Sequence, residues 1–226
     1  MLRSISHDLR TPLTSISGNA GILLSNGDTL KPEKKQQLYS DIYDDALWLI
    51  NLVENLLAVT KIEEGSMHLK MSAELMDEVI TEALHHVNKK KDEHTIKVVQ
   101  TEDFILAKMD ARLIVQVIIN IVDNAIKYTP TGSTITISTT KKDKQVIVDI
   151  ADDGPGIPDQ AKERIFDMFY IAPNEVVDSH RSLGLGLALC KSIINAHGGE
   201  ISVLDNKPKG TVFRFTLPAE EVNLYE

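Results

Sequence analysis

The chain is poor in several things. It has one cysteine, one tryptophan and only 5% aromatic residues, and its basic residues number 24 against 33 acidic ones. A single cysteine, Cys190, excludes an intramolecular disulfide and fits a reducing compartment. It lies in the apolar run "LGLALCKSII", where a buried inert thiol is the plainer reading than a nucleophile. No apolar run approaches the roughly 20 residues that cross a bilayer, and no signal peptide is visible, so this stretch is expected to make no direct membrane contact. The net charge of −9 argues against nucleic acid and anionic membranes as partners, since both need dense positive patches. The short runs "NKKK" (88–91) and "KKDK" (141–144) read as solvated ends of elements. There is no G-x-x-x-x-G-K-[ST] loop. "LGLGLAL" is not the dinucleotide fingerprint either, because Ala188 and Leu189 stand where a third glycine belongs.

What remains is a soluble globular composition, 42% hydrophobic and 25% charged, over 226 residues. That length suits one large domain or two modest ones. Leu2, Ile5, Leu9, Leu13, Ile16, Ala20 and Leu23 recur three or four residues apart, the seam of a long amphipathic helix. "SNGD" (25–28) supplies turn chemistry, and Pro32 can open a second helix at its first turn. A second stripe, Leu38, Ile42, Leu49, Val53 and Leu56, runs to about Ile62 and stops at Gly65. Leu47, Ile50 and Leu57 widen it beyond what two helices bury, which predicts a homodimeric four-helix bundle.

Beyond Gly65 the pattern changes. "MHLKMS" reads as a strand, "ELMDEVITEALHHVNKKK" as a helix, "TIKVVQ" and "FILAKMD" as strands, and residues 111–128 as a strongly apolar helix. "STITISTT" and "QVIVDIAD" alternate as strands; helices are expected near 159–168 and 184–197, and "EISVLD" and "TVFRFTLP" close the set. This order predicts a sheet covered by helices on one face.

Four local features carry chemistry. On a helix, His7 sits about 200° from both Ile5 and Leu9, away from the seam. Asp8 beside it can orient an imidazole and take its proton, and Pro12 removes the N–H that would bond the Asp8 carbonyl. An exposed bystander histidine is the bland alternative. In "NIVDNAIKY", Asn120 and Asn124 are one turn apart, with Lys127 following. An asparagine oxygen suits Mg²⁺ and a lysine suits phosphate; the bland alternative is a polar helix stripe. "DDGPGIP" (152–158) places a carboxylate, Asp152, before two glycines, where it can accept a hydrogen bond from an exocyclic amino group; an Asp-Gly strand-ending turn is the alternative. Gly184 and Gly186 open a helix, whose free N–H groups attract phosphate.

Taken in order, these stretches resemble the motifs of bacterial sensor histidine kinases across essentially residues 3 to 218. His7 to Pro12 resembles their H box, Asn120 to Tyr128 the N box, Asp152 to Gly156 the G1 box, Phe166 and Phe169 the F box, and Gly184 to Leu187 the G2 box. "KGTVFRFTLP" resembles the closing glycine-containing strand. The resemblance implies an α+β chain: a helical hairpin over 1–66 forming a dimeric four-helix bundle, a Bergerat-type (GHKL) α/β sandwich binding ATP over 67–219, and a tail over 220–226. It implies that His7 accepts phosphate, that Asp8 is its base, and that Thr11 positions water for dephosphorylating a partner response regulator's receiver domain. Asn124 would ligate Mg²⁺ and Asp152 would read adenine. Asn120, Lys127, Tyr128, Gly154, Gly156, Ile157, Phe169, Gly184, Leu185, Gly186, Leu187 and Thr211 would line the nucleotide, beneath a lid over roughly 170–183. A narrower likeness, to potassium-responsive sensor kinases of the Kdp system, rests on "SHDLRTPLT" and "LGLALCKSIINAHGGEI". A cytoplasmic fragment of a membrane-anchored parent is therefore expected, the more so because Met1 stands inside a helical pattern already under way.

The stretch "FDMFYIAPNE" departs from the family, with Met168 and Ile171 where a basic residue is common; Arg164 or Arg181 is the available substitute. Ser182 replaces the first glycine of G-x-G-x-G. Two competing readings follow. One is a Bergerat ATPase of the topoisomerase or chaperone kind, which carries a glutamate base where this chain has Asn120. The other is a nucleotide-sensing dimer that docks a response regulator and mainly dephosphorylates it.

Overall fold

The computed structural model describes residues 2–65, 67–87, 93–102, 104–170 and 184–220, with the side chains of 2–8 and 63 excepted. Helix α1 (Leu2–Asn26) runs through Pro12. A short 3-10 turn (Gly27–Thr29) reverses the chain into α2 (Pro32–Glu63), which opens on Pro32 after an extended Lys31. Proline is tolerated there because the first turn has no intrahelical acceptor for its missing N–H. Gly65, at φ +64°, ends the hairpin in a left-handed conformation that glycine adopts without a Cβ clash.

The rest is a sandwich. Strand β1 (Ser72–Leu75) pairs antiparallel with β3 (Leu106–Met109), with α3 (Met76–His86) and β2 (Thr95–Gln100) between them in sequence. Helix α4 (Ala111–Tyr128) precedes β4 (Thr134–Lys142) and β5 (Gln145–Asp152). A single turn α5 (Asp159–Lys162), then α6 (Gly186–Ala196), β6 (Ile201–Asp205) and β7 (Thr211–Pro218) follow. The main sheet has the order β2-β4-β5-β7-β6, parallel between β2 and β4 and antiparallel elsewhere.

Period-2 alternation decides which way this sheet faces. Ile135 and Ile137 of β4, Val146, Val148 and Ile150 of β5, and Phe213, Phe215 and Leu217 of β7 are all buried. They meet the apolar stripe of α4, where Ile114, Val117, Ile118, Ile121 and Val122 are also buried. On the opposite face Arg214 donates twice to its cross-strand neighbour Asp149, at 2.7 Å from both Nε and Nη2. One consequence sets up the site. Asp152 ends β5 in phase with Ile150, so the alternation delivers a carboxylate to the buried face.

Several expected boundaries shift, among them the strand "FILAKMD", which shortens to Leu106–Met109, and the helix near 184–197, which spans Gly186–Ala196. "MHLKMS" is not a strand; β1 starts at Ser72, because β3 offers only four residues to pair with and the Lys70 N–H bonds Asp110 Oδ2 instead (3.0 Å). The following helix begins at Met76 rather than Glu74, since Glu74 and Leu75 belong to that ladder, and it ends at His86. The helix expected over 159–168 stops at Lys162. Arg164 and Asp167 donate to carbonyls three residues back, turning the chain so that Ile165 is buried.

Hairpin and sandwich share a core. Val59 of α2 belongs to the sandwich's buried cluster, and Ala58 and Ile62 pack against it. By contrast Leu47, Ile50, Val53 and Leu57 stay exposed on a single chain.

Candidate functional site

Asp152 is 7% exposed, and its Oδ1 accepts the N–H groups of Gly154 (2.9 Å) and Thr211 (3.2 Å). Its carbonyl oxygen accepts the Asn206 side-chain amide at 2.7 Å. Next to it, Asp153 Oδ1 caps the Thr134 N–H of β4 at 3.0 Å. Both side chain and backbone of Asp152 are therefore fixed before any ligand arrives. A Cβ on Gly154 would stand 2.6 Å from Thr129 Cγ2, and one on Gly210 would collide with the Asp152 carbonyl oxygen. Burial pushes the Asp152 carboxyl above the usual aspartate value, and the two backbone donors partly oppose this.

The second wall comes from α4. Asn124, Ala125 and Tyr128 face a cavity of about 340 Å³. Asn120, one turn earlier, is spent on structure: its Oδ1 accepts Gln116 Nε2 at 3.1 Å, and its Nδ2 reaches the Gly186 carbonyl at 3.5 Å. An amide so engaged offers no general base. Lys127 places its ammonium 5.3 Å from the Tyr128 ring centroid.

The third wall is the start of α6. Gly184 has φ +63°, and its carbonyl accepts the Phe169 N–H at 3.0 Å. A Cβ there would collide with the Tyr170 carbonyl oxygen, so only glycine fits this crossing. Gly184, Leu185, Gly186 and Leu187 lie on the cavity wall at the helix N-terminus, where unpaired N–H groups favour an anion.

The cavity thus gathers Asn124, Tyr128, Asp152, Gly156, Ile157, Gly184 through Leu187 and Thr211 of the residues the sequence singled out. Asn120, Lys127, Gly154 and Phe169 are not on its wall, although each touches a residue that is: Gly186, Tyr128, Asp152 and Gly184 respectively. Sequence reasoning missed Thr129, Ile165, Tyr170 and Phe213 on the sandwich side, and four residues of α2: Trp48, Asn51, Leu52 and Asn55. His7 and Asp8 sit on α1 by their backbone, with side chains outside the described residues; Thr11 is exposed about one turn on. The segment 171–183, with Ile171, Arg181 and Ser182 and nearly all of the expected lid, also lies outside them. Arg164 is held 4.5 Å over the Tyr170 ring. Cys190 is buried, its thiol pushed up to about 12 by burial, which makes it inert. Among the described residues no helix is long and apolar enough to cross a membrane.

A half-open cavity of about 340 Å³ thus lies at the end of a helix-covered mixed sheet, walled by Asp152, by α4 and by the N-terminus of α6. Residues 109–221 match the family described as "Histidine kinase-, DNA gyrase B-, and HSP90-like ATPase". Residues 1–65 match the "His Kinase A (phospho-acceptor) domain". The chain belongs to the histidine kinases. It is 47% identical over 220 residues to the sensor protein KdpD of Clostridium acetobutylicum, covering 97% of this chain and 24% of that one. To KdpD of Escherichia coli it is 34% identical over 221 residues, with the same coverage of each. The chain therefore spans about a quarter of these relatives. Among solved structures it resembles histidine kinase AdeS of Acinetobacter baumannii, with a TM-score of 0.77 and 26% identity over 95% of this chain and 98% of that one. It also resembles histidine kinase ThkA in complex with the response regulator TrrA, with a TM-score of 0.73 and 28% identity over 97% of this chain and 61% of that one.

Proposed function

We propose that this chain binds ATP in the cavity between β5, α4 and α6, transfers the γ-phosphoryl group to His7, and passes it to an aspartate of a response regulator. In the first step an imidazole nitrogen of His7 forms a bond to phosphorus. The bridging oxygen–phosphorus bond breaks, ADP leaves with its electrons, and Asp8 takes the imidazole proton. The observation that carries the reading is the polarity of the cavity. A fixed carboxylate, Asp152, stands on one wall, where it can accept from an amino-bearing ring, and the α6 N-terminus stands on another, where its N–H groups can meet phosphates. Asn120, a neutral amide hydrogen-bonded to Gln116 and to the Gly186 carbonyl, cannot act as a base and disfavours the water-activating ATPase reading.

Asn124 places an amide on the cavity wall whose hard oxygen would suit Mg²⁺. Held there beside phosphates and water, the ion would neutralise phosphate charge. Residues 1–66 serve as the acceptor hairpin and 67–219 as the nucleotide domain, with 220–226 as a tail. The exposed Leu47, Ile50, Val53 and Leu57 fit a homodimeric four-helix bundle. Identity to KdpD supports a Kdp-type sensor whose longer parent is anchored in the membrane. A second reading, a regulator phosphatase with weak autokinase, is favoured by Arg164 resting on Tyr170 and by Met168 packing against the core where a cation is common. Incubation with Mg²⁺ and γ-labelled ATP separates them. Acid-labile, alkali-stable label is expected on the wild-type chain and not on His7→Gln; nucleotide binding without label supports the phosphatase.

A further inference from the structure

Helix α2 enters the cavity. Trp48, Asn51, Leu52 and Asn55 follow at i, i+3, i+4 and i+7, one continuous helix face, and all four line it. This face is held firmly. Leu52 is 2% exposed, Leu185 opposite is 1% exposed, and Val59, two turns further along α2, is part of the sandwich core. Leu52 and Val59 carry the apolar packing between hairpin and sandwich. Asn51, which is exposed, and Asn55, which is half-buried, bring amide donors and acceptors to the same wall.

We infer that α2 supplies part of the nucleotide site, with Trp48 as an apolar wall and Asn51 and Asn55 as hydrogen-bonding side chains, so that bound nucleotide fastens the hairpin to the sandwich. The inference rests on the nucleotide-site assignment above and adds a contribution from the acceptor hairpin. Its consequence is reciprocal. A ligand that touches both bodies stabilises their docking, and docking raises affinity by the same factor. The chain would then hold nucleotide most tightly in this docked arrangement and release it as α2 moves off.

Trp48 is the chain's only tryptophan, so its emission reads the α2 wall without any substitution. The test is calorimetric titration of the full chain with the non-hydrolysable ATP analogue AMPPNP and Mg²⁺, repeated by following Trp48 emission. Wild type, Asn51→Ala, Asn55→Ala and Asp152→Asn are compared, each checked by thermal melting. Loss of one neutral hydrogen bond predicts affinity about three- to tenfold weaker in each α2 variant. Trp48 emission should change and saturate at the calorimetric midpoint in wild type. If Asp152→Asn loses binding while both α2 variants bind like wild type and Trp48 emission stays flat, the contribution of α2 is overturned and the site assignment stands. Tighter binding by Asn51→Ala or Asn55→Ala also overturns it, since α2 would then obstruct the nucleotide. If no form binds the analogue, both the assignment and the inference fall.

Discussion

Replacing Asp152 by asparagine changes one oxygen for one NH₂ group and leaves shape and volume alone. In the structure Asp152 Oδ1 is taken by the N–H groups of Gly154 and Thr211, at 2.9 and 3.2 Å. An asparagine keeps its single oxygen on those two donors, so its NH₂ group turns to the cavity, where the carboxylate accepted. An adenine amino group then meets a donor instead of an acceptor. A hydrogen bond to a charged group contributes about 1.5–3 kcal/mol, so the analogue should bind about 10- to 100-fold more weakly. Because the backbone donors keep their partner, the thermal midpoint of the empty chain should not fall. It should rise slightly, since the substitution removes a buried carboxylate whose ionisation burial disfavours. Calorimetry and a thermal melt read the two quantities separately. The same carboxyl sets a pH arm. Burial raises its value in the free chain above the ordinary 3.8, and a donor from the ligand lowers it in the complex. Affinity should therefore be lost as pH falls through the raised free-chain value, and that acid limb should vanish in Asp152→Asn. An affinity within twofold of wild type, or an unchanged acid limb, would rule out this role for Asp152.

Three other outcomes are expected. His197 is buried, accepts the Asp110 N–H on Nε2 (3.0 Å), and donates from Nδ1 to the Ile193 carbonyl (2.8 Å), so burial lowers its value below the ordinary 6.5. The stability it contributes is present above 6.5 and is lost as pH falls through the lowered folded value; a melt series that is flat in that window in wild type, or identical in His197→Gln, contradicts this. Gly184→Ala places a Cβ against the Tyr170 backbone at φ +63°, which should cost about 1–3 kcal/mol of local strain and weaken analogue binding, with unaltered binding and melting as the contrary result. Thr11→Ala should keep labelling by ATP and lower phosphatase action on a phosphorylated regulator; loss of both together would remove the role given to Thr11.

Much of this was legible because two periods are hard to disguise. The residues of α4 repeat their apolar face over 18 residues, and its ends coincide with the expected 111–128. Strands β4, β5 and β7 alternate cleanly, and the same alternation explains why Asp152 is buried and not merely a turn residue. The boundaries that moved were set by partners that the local sequence does not show. Strand β1 is as long as β3 allows, and α5 stops where three-residue-back hydrogen bonds turn Ile165 inward. The α2 wall of the cavity was missed. Trp48, Asn51 and Asn55 look like ordinary members of a long amphipathic helix, and only its docking through Leu52 and Val59 brings them to a site built by distant segments. A signal did exist in the pair of asparagines one turn apart beside the only tryptophan, the same kind of pattern that marked Asn120 and Asn124.

On this mechanism the γ-phosphoryl group of a nucleotide held by Asp152 ends on His7. The most direct measurement is to incubate the wild-type chain and Asp152→Asn with ATP and Mg²⁺ and to locate the added phosphate by mass spectrometry at neutral pH. Phosphate is expected on the His7 peptide in wild type and strongly reduced there in Asp152→Asn. Phosphate on another residue, or equal phosphate on His7 in both chains, would exclude this path.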